Sequence, residues 1–162
     1  MNSIKEINNL DKTNFIKFFG NIFEKSEWVA EIAFEAIPFK NYEQLKSRFI
    51  YIFEETSPEK KIQILNSHPE LVVEKNLTQE SNNEQNSADL RNCSKEEFDE
   101  FKSLNVQYKQ KFGFPYIIAV KGKKKLEILQ NFKQRIKNNR DKEFNEAIDQ
   151  VKKIATIRLN QI

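Results

Sequence analysis

His68 is the only histidine of the chain and the side chain best suited to proton transfer near neutral pH. It follows an apolar run of helical spacing and precedes Pro69, and a proline disfavours a helical backbone at the residue before it. We therefore expect His68 at the C-terminal end of a helix. An imidazole titrates near about 6.5, so at such a position it can act as an acid or a base. The alternative is a structural histidine that caps the last carbonyl groups of its helix.

A second group of polar residues lies between Thr78 and about Leu90, where the pattern predicts a helix that Thr78 caps. Its interior is almost wholly polar. At helical spacing one face carries a hydroxyl, a carboxylate and an amide together, from Ser81, Glu84, Gln85 and Ala88. If this face turns inward, it forms a hydrogen-bonding wall for a polar heterocycle. The alternative is a polar helix that simply faces water.

Arg158 is the third residue whose type suggests chemistry. It lies near the end of the chain, on a predicted helix whose buried side carries Val151, Ile154, Ala155 and Leu159. A guanidinium beside an apolar core can hold a carboxylate through two N–H groups. The alternatives are an ordinary surface arginine or an ion pair within the same helix. The residue pattern alone does not tie Arg158 to His68.

The elements that must position these residues are predicted to be helices, because three glycines and four prolines leave little turn chemistry for hairpins. Periodicity predicts helices over residues 14–24, 27–36, 42–55, 58–68, 79–90, 95–112, 126–138 and 143–159. The first should bend at Gly20. Ser26 and Ser57 are the predicted N-caps of the second and fourth helices, and Ser94 opens a capping box before residue 95. Residues 114–120 do not fit this pattern. They predict a buried extended connector whose main-chain groups need partners from side chains or a ligand.

Composition limits the class of protein. The 162 residues, of which 38% are hydrophobic and 14 are Phe, suit a single domain, and a net charge of +3 is too small to indicate a nucleic-acid partner. The single cysteine, Cys93, excludes an intramolecular disulfide and has no second histidine to activate it. One histidine and one cysteine also fall short of a usual zinc site.

The N-terminal segment lacks the apolar core of a signal peptide and no apolar run suits a membrane span, so we expect a cytoplasmic protein with no membrane partner.

Several short motifs, taken in their order along the chain, resemble those of the 2-oxo-4-hydroxy-4-carboxy-5-ureidoimidazoline (OHCU) decarboxylase family of urate degradation. The resemblance covers nearly the whole chain. The matching segments are residues 18–24, Ser26, Trp28-Val29-Ala30, Pro38-Phe39, His68-Pro69-Glu70-Leu71, Leu77-Thr78, Ser81, Glu84-Gln85, Ala88, Leu90, Leu104-Asn105, Tyr108, Lys111-Phe112-Gly113-Phe114-Pro115, Ile154-Ala155 and Arg158-Leu159. Three positions depart from the family's usual Arg, Gly and Phe, where this chain has Ile37, Asp89 and Tyr116. Asp89 adds a carboxylate one residue from the predicted wall.

The resemblance implies an all-α, single-domain bundle over residues 1–162, a homodimer, and decarboxylation of OHCU to (S)-allantoin without a cofactor. It implies that His68 is the acid/base and that Glu84 is its partner. It also implies substrate contacts from Pro69, Ser81, Gln85, Ile117, Ile118, Ala119, Val120 and Arg158. We expect the connector to contribute its main chain rather than its side chains.

Two other classes of protein stay open from the sequence. A helical binding module for an acidic partner would use the basic residues 121–125 and the basic last helices, and its association would be steeply salt-sensitive. The second class is a structural helical protein, which would bind no small molecule. A member of the family could also act on another heterocyclic acid. The resemblance favours the small-molecule enzyme, with no nucleic-acid partner and no metal.

Overall fold

The computed structural model describes residues 3–162, which form nine α-helices and no β-strand. Met1 and Asn2, the start of the segment expected not to be a signal peptide, lie outside the described residues. The helices are α1 (Ile4–Asn8), α2 (Lys12–Phe19), α3 (Glu27–Phe34), α4 (Tyr42–Glu55), α5 (Pro58–Ser67), α6 (Gln79–Ser87), α7 (Lys95–Phe112), α8 (Lys125–Arg135) and α9 (Arg140–Leu159). The predicted all-α fold is confirmed. Within the described chain, every helix is too short or too polar to cross a membrane.

The helices belong to two compact units. The first unit holds the chain up to Ser67 and again from Lys152 onward, and the second unit is His68–Val151. Of the predicted site residues, Arg158 belongs to the first unit and all the others belong to the second. That residues 1–162 form one domain stays a prediction.

Side-chain caps explain where several helices begin. Ser57, Thr78 and Ser94 each accept a hydrogen bond from the main-chain N–H three residues later, as predicted. Ser26 occupies the N-cap position of α3, but its hydroxyl donates to the main-chain oxygen of Glu24 instead of capping α3.

The helix predicted over residues 14–24 is shorter than expected. Helix α2 ends at Phe19 and Gly20 is its C-cap, because glycine is a poor helix former.

Aromatic rings form the cores of both units. In the first unit, Phe15 and Phe19 have ring centroids 4.5 Å apart, and both rings contact the ring of Phe49. In the second unit, the ring of Tyr108 is surrounded by other rings at centroid distances of 4.5 to 6.0 Å, from Phe112, Phe114, Tyr116 and Phe132. Burial of such rings is a main source of stability, since each removes a large apolar area from water.

The connector begins where Gly113 ends α7. Gly113 has a φ of 80°, in the left-handed region that glycine adopts without a Cβ penalty, so the chain leaves the helix there. Residues 115–120 form neither helix nor strand, and every residue of the connector is buried. The connector therefore lies in the interior of the second unit.

Asp89 also has a left-handed backbone, with a φ of 58°. This explains why glycine suits position 89, and Asp tolerates the conformation better than most residues. The carboxylate side chain is 67% exposed and lies 3.9 Å from the Nζ atom of Lys125. The added carboxylate thus faces solvent and a lysine.

We expect Asp89→Gly to be at least as stable as the wild type. Asp89→Ala should be about 1 kcal/mol less stable than Asp89→Gly, because alanine carries the full left-handed penalty. The free energies of unfolding in urea check this order. An alanine variant as stable as the glycine variant would contradict it.

Candidate active site

The segment that carries His68 follows the end of a helix, as predicted. Helix α5 ends at Ser67, so His68 is the first residue beyond it. Its side chain is largely buried, with an exposed fraction of 8% for the residue. Pro69 and Glu70 are half-buried and lead away from the helix.

Two side-chain amides hold this segment against α6 and α7. The main-chain N–H of Val72 donates to Oε1 of Gln85 at 3.1 Å. The carbonyl oxygen of Leu71 accepts a hydrogen bond from Nδ2 of Asn105 at 2.9 Å. Arg91 adds a third contact, from Nη1 to the carbonyl oxygen of Val72 at 3.2 Å. The structure thus brings the histidine segment and the polar helix together within the second unit.

Val72 is strained at this junction. Its φ of 74° lies in the left-handed region, which is a genuine outlier for a β-branched residue. Such a conformation costs on the order of 1 to 3 kcal/mol and persists only where the surroundings hold it. Here Gln85 holds the N–H of Val72 and Arg91 holds its carbonyl oxygen. Strain of this kind is typical of sites where geometry matters more than stability.

The polar helix α6 turns its predicted face inward. Ser81, Gln85 and Ala88 are buried and Glu84 is half-buried, whereas Asn86 on the other side is exposed. A polar helix that simply faces water is therefore excluded. Ser81, Glu84 and Gln85 project from the packed side of α6, where a hydroxyl, a carboxylate and an amide can act on a shielded ligand.

Gln85 and Asn105 each keep one amide atom without a hydrogen bond in the described part of the chain. These atoms are Nε2 of Gln85, a donor, and Oδ1 of Asn105, an acceptor, and both are buried. Buried polar atoms are normally paired, so such a donor and acceptor suit the N–H and C=O groups of a polar ligand. Sequence reasoning placed Asn105 in a motif but did not single it out. Its position on the packed face of α7 was the available signal.

Two main-chain groups of the connector already have protein partners. The carbonyl oxygen of Ile117 accepts from Nη1 of Arg135, and the N–H of Ala119 donates to Oε1 of Gln150 at 2.9 Å. These two groups thus have side-chain partners, one of the two kinds of partner that the sequence predicts for the connector. Ile118 and Val120 lie beside them and are equally buried.

A buried charged cluster behind the connector was not found from the sequence. Oε1 of Glu143 accepts from Nε of Arg135 and from the hydroxyl of Tyr108, both at 2.6 Å, and Oε2 accepts from Nδ2 of Asn138 at 3.0 Å. Burial, together with the hydrogen bond to Glu143, raises the pKa of the Tyr108 hydroxyl, so this group stays protonated and donates. No periodic pattern links residues 108, 135 and 143, because the pairing joins three different helices.

Arg158, in the first unit, is buried rather than a surface arginine, and it forms an ion pair with a residue outside its own helix. The residue is 3% exposed. Its Nη2 atom lies 2.9 Å from Oε2 of Glu24, and its Nη1 atom donates to the carbonyl oxygen of Asn21 at 2.7 Å. Glu24 is fully buried, which sequence reasoning missed although residues 18–24 belong to a matched segment. The pairing fixes the orientation of the guanidinium.

Other candidate residues do not form a site. Burial raises the pKa of the Cys93 thiol, which weakens it as a nucleophile, and its Sγ atom donates to the carbonyl oxygen of Leu90. Lys125, the last of the basic residues 121–125 and the first residue of α8, has its Nζ atom 3.2 Å from Oε1 of Glu97 and so has an acidic partner in the protein. Among residues 3–162, no group of three or more His, Cys, Asp and Glu side chains is arranged to hold a metal ion.

Several known proteins are similar to this chain in sequence or in fold. The family model described as OHCU decarboxylase matches residues 8–160. The chain is 36% identical over 157 residues to the 2-oxo-4-hydroxy-4-carboxy-5-ureidoimidazoline decarboxylase of Haloferax volcanii, covering 97% of this chain and 94% of that protein. It is 37% identical over 162 residues to the uric acid degradation bifunctional protein of Bacillus sp. (strain TB-90), which covers 100% of this chain.

The chain spans only part of some relatives. It corresponds to 32% of the length of the Bacillus bifunctional protein. The crystal structure of (S)-allantoin synthase superposes with a TM-score of 0.80 at 27% identity, over 98% of this chain and 53% of that one. The family match over most of the chain, with several relatives above 30% identity, carries the assignment. The chain therefore belongs to the OHCU decarboxylase family, and the predicted enzyme class, a decarboxylase of urate degradation, is confirmed.

Proposed function

We propose that this chain converts OHCU to (S)-allantoin without a cofactor, with His68 as the acid/base and Glu84 as its partner. Two hydrogen bonds carry the proposal: the N–H of Val72 donates to Gln85, and the side-chain amide of Asn105 donates to the carbonyl oxygen of Leu71. They hold the histidine segment against the buried face of α6. An imidazole, a carboxylate and a hydroxyl thereby belong to one packed region of the second unit.

The reaction needs orientation, charge stabilisation and one proton. The bond between the substrate's carboxylate and its ring carbon breaks, and CO₂ leaves. The electron pair passes onto the nitrogen of the adjacent C=N bond and returns to the carbon when a proton adds there. Groups fixed around the ring lower the barrier because they are oriented before the charge develops. His68 delivers the proton from one side, so one enantiomer of allantoin forms.

The remaining predicted residues bind the substrate in this proposal. Ser81 and Gln85 face the ring from α6, and Pro69 packs against it. That Arg158 binds the substrate's carboxylate stays a prediction. A planar guanidinium has five N–H groups, so an arginine that pairs with Glu24 can also serve a substrate carboxylate. The connector residues Ile117, Ile118, Ala119 and Val120 exclude water, which strengthens the polar contacts around the ring.

The decisive experiment supplies freshly generated OHCU and follows the optical activity of the allantoin formed. Spontaneous decay in water adds the proton from either side and gives both enantiomers. We expect the protein to accelerate CO₂ release and to yield the S enantiomer. Racemic allantoin at the spontaneous rate would contradict the proposal, and steeply salt-sensitive binding of a polyanion would favour the binding module instead.

Substitutions on α6 should separate catalysis from binding. We expect Glu84→Gln to lower kcat by about 10²-fold or more with little change in KM, because the amide cannot assist proton transfer. Ser81→Ala should raise KM by roughly two- to tenfold, the value of one hydrogen bond. Gln85→Ala should affect both constants, because Gln85 also holds Val72. Steady-state kinetics check these results.

The matched control is Asn86→Ala, on the exposed side of the same helix. It should leave both constants unchanged. If all four variants lost activity in proportion to a loss of helicity, α6 would be a structural element only.

We also propose that the protein is a homodimer in a reducing compartment, the cytoplasm. The chain has 14 Phe residues, acids outnumber bases over residues 69–100, and bases outnumber acids over residues 121–162. These features favour a second subunit, and Phe18 and Tyr51 are about half exposed, at 50% and 54%. The single cysteine suits a reducing compartment. We expect sedimentation velocity at micromolar concentration to give a dimer, and a monomer there would contradict the prediction.

A further inference from the structure

The connector is held from one side by two buried side chains. Gln150, at 7% exposure, accepts the N–H of Ala119 through its Oε1 atom at 2.9 Å. Arg135, at 4% exposure, donates to the carbonyl oxygen of Ile117. The two bonded groups are two residues apart, so we expect them to point the same way, as they do in an extended chain.

Each of these holding side chains is itself fixed. Nε2 of Gln150 donates to Oε1 of Glu146 at 2.9 Å. A carboxylate can only accept, so the amide must turn its NH₂ group to Glu146 and its oxygen to Ala119. Arg135 is fixed by Glu143, which also accepts from Tyr108 and Asn138. The guanidinium of Arg135 further lies 4.5 Å from the ring centre of Tyr116, a residue of the connector.

Ile118 lies between the two held groups. Its N–H and C=O make no hydrogen bond within residues 3–162, although the residue is only 5% exposed. Adjacent residues of an extended chain direct their main-chain groups to opposite sides, so we expect those of Ile118 to point away from Gln150 and Arg135. A buried donor and acceptor side by side match a ring that carries urea-type N–H and C=O groups.

We propose that Gln150 and Arg135 are positioning residues, which hold the connector so that the main chain of Ile118 binds the ring of the substrate. They act through the connector and do not contact the substrate. This inference rests on the proposed function, since it assigns the ring-binding groups of the same site. It also gives a role to the buried cluster of Arg135, Glu143 and Tyr108, which is otherwise only structural.

Gln150→Met tests the proposal, because it keeps the side-chain length and removes the acceptor. We expect KM for OHCU to rise about five- to tenfold, the value of one hydrogen bond, while kcat stays within about twofold. The double variant Glu146→Gln with Gln150→Glu reverses the pair and again presents an oxygen to Ala119. It should restore KM to within about twofold of the wild type. Gln130→Met, an exposed glutamine of α8, is the matched control and should change neither constant.

A second measurement does not depend on turnover. In the ligand-free protein, the Ala119 amide should exchange its hydrogen with deuterium about tenfold faster in Gln150→Met and at the wild-type rate in the double variant. Wild-type protein that does not turn over OHCU would overturn the proposed function and, with it, the substrate assigned here. Wild-type turnover with an unchanged KM in Gln150→Met, or unchanged exchange at Ala119, would overturn this inference alone.

Discussion

His68→Asn is expected to lower kcat by about 10²- to 10⁴-fold while the protein stays folded, because general acid/base catalysis contributes about that much. The asparagine amide fits a position just beyond a helix end, but it cannot deliver a proton. Stopped-flow release of CO₂ from fresh OHCU measures kcat, and circular dichroism confirms the fold.

Asn66→Ala provides the control for this variant. Asn66 is an exposed residue in the last turn of α5, so its replacement tests the helix end without the imidazole. It should keep wild-type turnover. A His68→Asn protein with wild-type stability and wild-type kcat would exclude His68 as the acid/base.

The largest expected effect on stability comes from Glu143→Gln, which should lower the free energy of unfolding by about 3 to 5 kcal/mol. Glu143 is fully buried and is the counter-ion of Arg135, whose Nε atom lies 2.6 Å from it. The amide has nearly the same shape, so packing is kept, but a buried cation loses its opposite charge. Such an uncompensated charge is far more costly than a lost neutral hydrogen bond.

Urea unfolding of the variant measures the effect. Glu31→Gln makes the same chemical change at an exposed position of α3 and should alter the free energy of unfolding by less than about 0.5 kcal/mol. A Glu143→Gln protein as stable as the control would mean that the Arg135 charge is compensated by other groups.

Local chemistry made much of the fold predictable. Ser57, Thr78 and Ser94 cap helices where their residue types predict, because a cap depends on neighbours within three residues. Gly113 ends α7 for the same local reason, since only its own backbone conformation matters. The inward face of α6 was predictable as a pattern but not as an orientation. Nothing within a polar helix says which side meets the core.

The long-range polar pairs could not be predicted in this way. Glu24 with Arg158 and Glu143 with Arg135 join different helices, and periodicity identifies buried faces but not partners. The hydrogen bond from the N–H of Ala119 to Gln150 depends on the path of a segment that has no regular structure. The family resemblance named several of these positions, but only the coordinates show which atoms meet.

The short helix α6 is expected to determine how the protein loses activity when it is heated. It has nine residues, of which two, Ser81 and Gln85, are buried, and so short a helix is not stable on its own. Contacts with the rest of the second unit stabilise it. Thr78 caps its start, and Gln85 accepts a hydrogen bond from the N–H of Val72. Local unfolding of α6 alone would remove the hydroxyl, the carboxylate and the amide in one step, while the rings around Tyr108 stay packed. The protein would then lose activity at a lower temperature than the one at which the whole fold melts, because only the short helix α6 has to unfold.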